Sequence, residues 1–165
     1  MGNIAVYAGT FSPFTTGHQY ILEQALAMFD HIFLAVGVNP AKKETLSLES
    51  RLDMLRDLKY DRVTVTSFDN QYLVDYAFDN GIEFIIRGLR NNSDFEYEFA
   101  MAAVNKKINP TVRTAFFMAD QEHAPISSSM VMGMIGPKGW QQKVRPYVPE
   151  KIWPRFIEEI GKLYK

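Results

Sequence analysis

Four stretches of the chain gather side chains suited to handling phosphate. The first runs Gly9-Thr10-Phe11-Ser12-Pro13-Phe14-Thr15-Thr16-Gly17-His18, leading from an apolar run straight into a helical pattern. Gly9 permits a sharp turn, and Gly17 opens the helix with free N–H groups. A helix N-terminus carries partial positive charge and unpaired donors, which suits a phosphate. His18, in the first helical turn, can donate a hydrogen bond to a phosphate oxygen as charge builds up in a transition state. The stretch is not a P-loop, because the second glycine is followed by His18 and not by a Lys-Ser/Thr pair.

The second stretch places Lys42 and Lys43 after Asn39-Pro40, where two ammonium groups can neutralise an acceptor phosphate. In the third, Arg87-Gly88-Leu89-Arg90 follows the apolar run Phe84–Ile86, and Phe95-Glu96-Tyr97-Glu98 opens the next helix. An arginine fork grips phosphate well, Gly88 permits close approach, and Glu98 can accept from a nucleotide. The fourth is Ile126-Ser127-Ser128-Ser129 after Pro125, three hydroxyls at a helix entry. Each has a plainer reading: a glycine turn with a satisfied histidine, a solvated lysine pair, an Arg–Glu salt-bridge cluster, an ordinary serine N-cap. Their common position at strand ends favours phosphate chemistry.

Those ends follow from an alternation of apolar, β-rich runs with helix-period segments. Ile4–Tyr7, Ile32–Val38, Val63–Phe68, Phe84–Ile86 and Thr114–Met118 read as short buried strands. Helices are expected over His18–Phe29, Leu48–Leu58 with Ser47 as N-cap, Gln71–Asn80 ending at Gly81, and Asp94–Lys107. After Ser129 the pattern loosens around Gly133, Gly136, Pro137, Gly139, Pro146 and Pro149, with a last helix near Pro154–Leu163 on the rim. The expectation is one α/β domain over residues 1–165, with a helical tail from about 147, built on a five-stranded parallel sheet covered on both faces. In such sheets ligands bind at the carboxyl ends of the strands.

Bulk composition sets limits. The 165 residues, 47% hydrophobic and 22% charged, suffice for a real core. With no cysteine, disulfides, thiolate nucleophiles and Cys-based metal sites are excluded. A net charge of −1 leaves no broad footprint for nucleic acid. Neither a signal peptide nor a membrane span is expected, and a reducing cytosol suits the chain. His31 is expected to cap a turn. Met28, Met54, Met101 and Met118 are expected in the core, and Trp140 and Trp153 at a subunit interface.

Thr15-Thr16-Gly17-His18 resembles the T/H-x-G-H signature of the nucleotidylyltransferase superfamily, whose fold is a Rossmann-like doubly wound sheet. RGLR at Arg87–Arg90 and FEYE at Phe95–Glu98, at this spacing, resemble the phosphopantetheine adenylyltransferase family in particular. The likeness runs from Tyr7 to about Val148. It implies transfer of an adenylyl group from ATP to 4′-phosphopantetheine, giving dephospho-CoA and pyrophosphate without a covalent enzyme intermediate. By the same resemblance His18, Lys42 and Arg90 stabilise charge, Lys42 bridges the acceptor and ATP phosphates, and Lys43 is accessory. Thr10 orients the attacking phosphate, Arg87 holds the acceptor, and Leu73 and Asn105 flank the pantetheine arm. ATP is implied to contact Thr10, Phe11, Gly17, His18, Gly88, Leu89, Arg90, Glu98 and the run His123, Ala124, Pro125, Ile126, Ser127, Ser128 and Ser129.

No protein metal ligand is implied; Mg²⁺ is expected on the ATP phosphates. The family also implies a homohexamer, a cytoplasmic setting and CoA as a feedback ligand. Three departures stand out: Ser12 where Asp is common, His123-Ala124-Pro125 where an aromatic and a serine are typical, and Met130–Gly133 without a basic–acidic pair. Two rival readings are a nucleotidyltransferase with another acceptor, such as nicotinamide mononucleotide or glycerol phosphate, and a nucleotide- or CoA-binding module without turnover.

Overall fold

All five apolar runs form strands. The computed structural model describes residues 2–38 and 44–163, with β1 Ile4–Gly9, β2 His31–Val38, β3 Val63–Asp69, β4 Phe84–Leu89 and β5 Arg113–Met118. They pair in parallel in the order β3-β2-β1-β4-β5. The chain therefore winds outward from β1 in one direction through β2 and β3, and in the other through β4 and β5. The switch point lies between β1 and β4, where Tyr7 sits opposite Ile86. Ligands of doubly wound sheets bind just beyond this crevice.

Helix ends obey local chemistry. α1 spans Thr16–Leu26, starting two residues before the expected His18 because Thr15 is its N-cap. α2, Leu48–Asp57, is capped by Ser47, whose hydroxyl accepts from the Ser50 N–H at 3.1 Å. α3, Leu73–Asp79, is shorter than expected at its start and closes with a Schellman motif. Gly81 takes φ +67°, its N–H reaches Phe78 O, and Ile82 N–H reaches Ala77 O at 2.8 Å.

The principal core joins α1, α2 and the inner strands through Leu22, Ile32, Leu34, Leu55 and Ile86. A smaller cluster, with Val74, Ala77 and Ile85, lies under α3. The tail differs from expectation. It contains α5 Ser128–Gly133, α6 Trp140–Val144, two 3₁₀ turns at Arg145–Tyr147 and Glu150–Ile152, and α7 Trp153–Leu163. Val144, Val148, Ile152, Phe156 and Ile160 enter the principal core, so α7 is no rim decoration. Trp140 and Trp153 also pack against that core, and Arg145 lies 5.1 Å above the Trp153 ring.

Of the four methionines expected inside, only Met54 is buried. Met28 and Met118 are 67% and 63% exposed, and Met101 is exposed as well. Met101 belongs to α4, Asn92–Ile108, which forms as expected yet buries none of its residues within the chain. Its apolar side chains, among them Phe95, Phe99 and Val104, lie in the open and continue into Phe116 and Met118 of β5. His31 is the first residue of β2 and its Nε2 lies 2.9 Å from Thr64 Oγ1, so it links two strands where a turn cap was expected.

Candidate active site

The first wall of the crevice is the β1–α1 loop. Gly9 ends β1 with an ordinary backbone, and its lack of a side chain serves a neighbour: a Cβ there would stand 2.8 Å from the Phe11 ring. Phe11 itself takes φ +47°, a conformation costing a bulky residue on the order of 1 kcal/mol, held by burial between Tyr7 and Phe14. Its ring and that of Phe14 flank the His18 imidazole at 5.2 and 5.4 Å.

Thr15 and His18 close a capping box. The Thr15 hydroxyl accepts from the His18 N–H at 3.3 Å, while the Thr15 N–H donates to His18 Nδ1 at 3.1 Å. A backbone N–H can only donate, so Nδ1 carries the lone pair and the ring proton is assigned to Nε2. Burial, and then the charge of Arg90, depress the His18 pKa to about 4. At neutral pH His18 is thus a neutral donor with one available N–H.

The opposite wall is the end of β4 with the start of α4. Arg87 forms a bidentate ion pair with Glu98, whose side chain is 12% exposed; the Nε–Oε2 distance is 2.7 Å. Arg87 also donates to Ala8 O on β1 at 3.4 Å, across the switch point. Arg90 grips Asp94 through Nε at 2.8 Å and Nη2 at 3.3 Å, and its backbone N–H adds a third bond. Burial opposes ionisation of Asp94, but Arg90 holds its pKa below the usual carboxylate value. Tyr7 lies between the walls: burial raises its hydroxyl pKa while Arg87 and Arg90 pull it down. The arginines are therefore both at the site and occupied by carboxylates.

The fourth stretch docks onto the first. Ser128 Oγ donates to Pro13 O at 2.8 Å, and Ser127 caps α5 by accepting from Met130 N–H. Gly17 suits this close approach, since a Cβ would stand a tight 3.1 Å from Ile126 O. His123 stacks on Tyr20 of α1 with centroids 4.6 Å apart, and its Nδ1 lies 2.7 Å from Asp120. The His-Ala-Pro departure thus still supplies a flat ring here. Ala124 turns back onto Asp120 O and Ile126 onto His123 O.

Thr10 and Ser129 are exposed; Gly88 is half-buried and Leu89 is buried on the same strand as Arg87. Leu73 heads α3 and packs on the smaller core, and Asn105 lies half-buried in the later turns of α4. Lys42 and Lys43 lie outside the described residues. Sequence reasoning passed over Tyr7, Tyr20 and Arg51. An arginine inside an amphipathic helix gives no local signal, and Arg51 shows its bond to Thr10 O only in three dimensions. Among the described residues no three His, Asp or Glu side chains converge on a point that could hold a metal.

Phosphate-suited loops on both sides of the switch point of a five-stranded parallel sheet define a Rossmann-like, doubly wound class of phosphate-ligand binders. The fold agrees. The structure of Plasmodium falciparum nicotinic acid mononucleotide adenylyltransferase complexed with NaAD superposes with a TM-score of 0.66 at 13% identity, covering 96% of each chain. In sequence, the cytidylyltransferase-like family pattern matches residues 6–133. Phosphopantetheine adenylyltransferase of Chromobacterium violaceum is 41% identical over 155 residues, 93% of this chain and 94% of that protein. Its namesake from Clostridium tetani is 44% identical over 164 residues, 97% and 96% of the two chains. The chain belongs to the phosphopantetheine adenylyltransferase family within the cytidylyltransferase-like proteins.

Proposed function

We propose that the chain transfers the adenylyl group of ATP to 4′-phosphopantetheine, as the family to which it belongs implies. The single observation carrying the chemistry is the neutral His18, fixed by Thr15 at the N-terminus of α1, its Nε2–H without a hydrogen-bond partner among the described residues. A phosphate oxygen of the acceptor attacks the α-phosphorus, forming a new P–O bond. The bond to the bridging oxygen breaks, and pyrophosphate leaves with the electron pair. The attacking phosphate is already anionic, so no side chain needs to act as nucleophile or strong base. Catalysis is placement and charge stabilisation.

In this reading His18 donates to the transferring phosphoryl group, joined by Lys42 and Arg90. Thr10 orients the acceptor phosphate, Arg87 holds it, and Leu73 and Asn105 flank the pantetheine arm. ATP lies along Phe11, Gly17, Gly88, Leu89, Glu98 and the segment from His123 to Ser129. Tyr20 and His123 offer stacked rings on the side assigned to adenine. Mg²⁺ fits best as an ion delivered on the triphosphate, whose charge it offsets, given the donor set of the described residues.

The assembly proposed is a homohexamer in the cytoplasm, with CoA, which carries the same pantetheine arm, as feedback ligand. The open apolar surface of α4 and β5 supports self-association, since exposed patches of this kind mark interaction sites. No helix of the described residues is long and apolar enough to cross a membrane. Pyrophosphate release with ATP and 4′-phosphopantetheine tests the reading. Release only with nicotinamide mononucleotide or glycerol phosphate would replace the acceptor, and tight ATP binding without release would replace the activity.

A further inference from the structure

We infer that Arg51 of α2 is a positioning residue for adenylyl transfer: its buried guanidinium fixes the backbone at Thr10 and ties it to the start of α2. The inference rests on the reaction proposed above for the role of Thr10 alone. Among the described residues the buried polar or charged side chains are Ser12, Thr15 and Arg51, and all three gather at the β1–α1 loop. Thr15 caps α1. Arg51, 4% exposed, donates from Nη1 to Thr10 O at 2.8 Å and from Nε to Ser47 O at 3.3 Å.

An interior guanidinium is costly unless it is well bonded, and an apolar residue would pack beside Leu52 and Leu55 with less penalty. Burial accordingly lowers its pKa, and the Glu44 carboxylate works against that shift. What Arg51 provides that an apolar side chain cannot is a rigid fork with donors in fixed directions. Its two acceptors belong to different segments. Thr10 directly follows β1, and Ser47 is the N-cap reached by the chain leaving β2. One side chain thus holds together the ends of two adjacent loops on the carboxyl edge of the sheet, with Gly9 and Val36 paired beneath them. A displaced Thr10 would misalign the acceptor phosphate more than ATP, most of whose assigned contacts lie on Gly88, Leu89, Glu98 and the segment from His123 to Ser129.

The test compares wild type with Arg51→Met and Arg51→Lys by steady-state kinetics per folded molecule, and by hydrogen exchange of the segment 9–18. In Arg51→Met the KM for 4′-phosphopantetheine rises and kcat falls, each by about tenfold, while the KM for ATP moves little. Exchange in 9–18 speeds up. Arg51→Lys retains the charge but cannot serve both carbonyls, so it falls between, with an acceptor KM about threefold above wild type. Wild-type kinetics per folded molecule in Arg51→Met, or equal changes in both KM values, overturns the inference. Should Arg51→Met fail to fold, Arg51→Lys decides, and an unchanged acceptor KM there overturns it. A wild type inactive on ATP and 4′-phosphopantetheine takes down the functional reading instead; Arg51 is then judged by exchange, and unchanged exchange in 9–18 overturns its role.

Discussion

The two walls of the crevice are prepared differently. On the β1–α1 side, His18 is half-buried, packed between Phe11 and Phe14, and held in one tautomer by Thr15. On the β4–α4 side, Arg87 and Arg90 stand closer to solvent and are engaged by Glu98 and Asp94. The first wall is ready for a ligand as it stands. In the proposed reaction the second must hand its guanidinium groups from carboxylate to phosphate, or share them. A buried, unpaired arginine pair would be expensive, whereas a neutral imidazole tolerates burial with one N–H waiting. On the proposed reaction the histidine wall would supply precision at little electrostatic cost, and the arginine wall charge that Glu98 and Asp94 neutralise in the free protein.

The sharpest test is His18→Ala, which should lower turnover about a hundredfold or more with the fold intact, the usual loss for one oriented charge stabiliser. Near-normal turnover measured by pyrophosphate release would break the distinction between the walls. The pH profile should follow. With a His18 pKa of about 4, the donor stays neutral down to mildly acidic pH, so no kinetic step attributable to it appears near 6.5. In stability the sign is fixed as well. Between about 6.5 and 4 the unfolded chain binds a proton that folded His18 refuses, so stability falls as the pH drops through this window. Urea melts at several pH values would show it, and the slope should become shallower in His18→Ala, leaving the part due to carboxylates such as Asp94.

Arg87→Met should raise the acceptor KM about tenfold, the scale of one lost hydrogen bond to a charged group, and also lower the melting temperature because Glu98 loses its partner. Thr15→Val should cost about 1 kcal/mol in unfolding free energy as an N-cap is lost, with little change in turnover, because the backbone N–H of residue 15 still donates to His18 Nδ1 and keeps the tautomer. The smallest effect is expected for Asp94→Asn. Freed from a full negative charge, Arg90 should meet ATP more readily and lower its KM about threefold, about 0.6 kcal/mol, within the range exposed pairs contribute. A rise in ATP KM would show that Asp94 aims Arg90 and does not merely occupy it.

Much of this was legible in the sequence. The sheet could be read because its strands are covered on both faces, which leaves unbroken apolar runs such as Ile32–Val38. The phosphate-suited loops could be read because their glycines and hydroxyls have few structural uses in common. The tail was hidden by Pro146, Pro149 and Pro154, which break any single helical pattern. Yet Val144, Val148, Ile152, Phe156 and Ile160 recur at every fourth position through two helices and two 3₁₀ turns, and that spacing was the available signal. Exposure of α4 could not be read, since a helix apolar on several faces looks like a core helix until its neighbours are known. The Arg87–Glu98 pair was legible as the plainer Arg–Glu reading of that stretch, whereas the grip of Arg90 on Asp94 had no separate signal.

The β1–β4 ladder, finally, works as a gauge block. Val6 opposite Ile85 and Tyr7 opposite Ile86 fix how far Thr10 stands from Arg87 and Arg90 before any ligand arrives. One residue inserted into β4 would shift the arginine wall by about 3.3 Å and turn alternate side chains to the other face. The tolerance of the reaction to indels is therefore set by strand arithmetic deep in the sheet, far below the loops suited to phosphate.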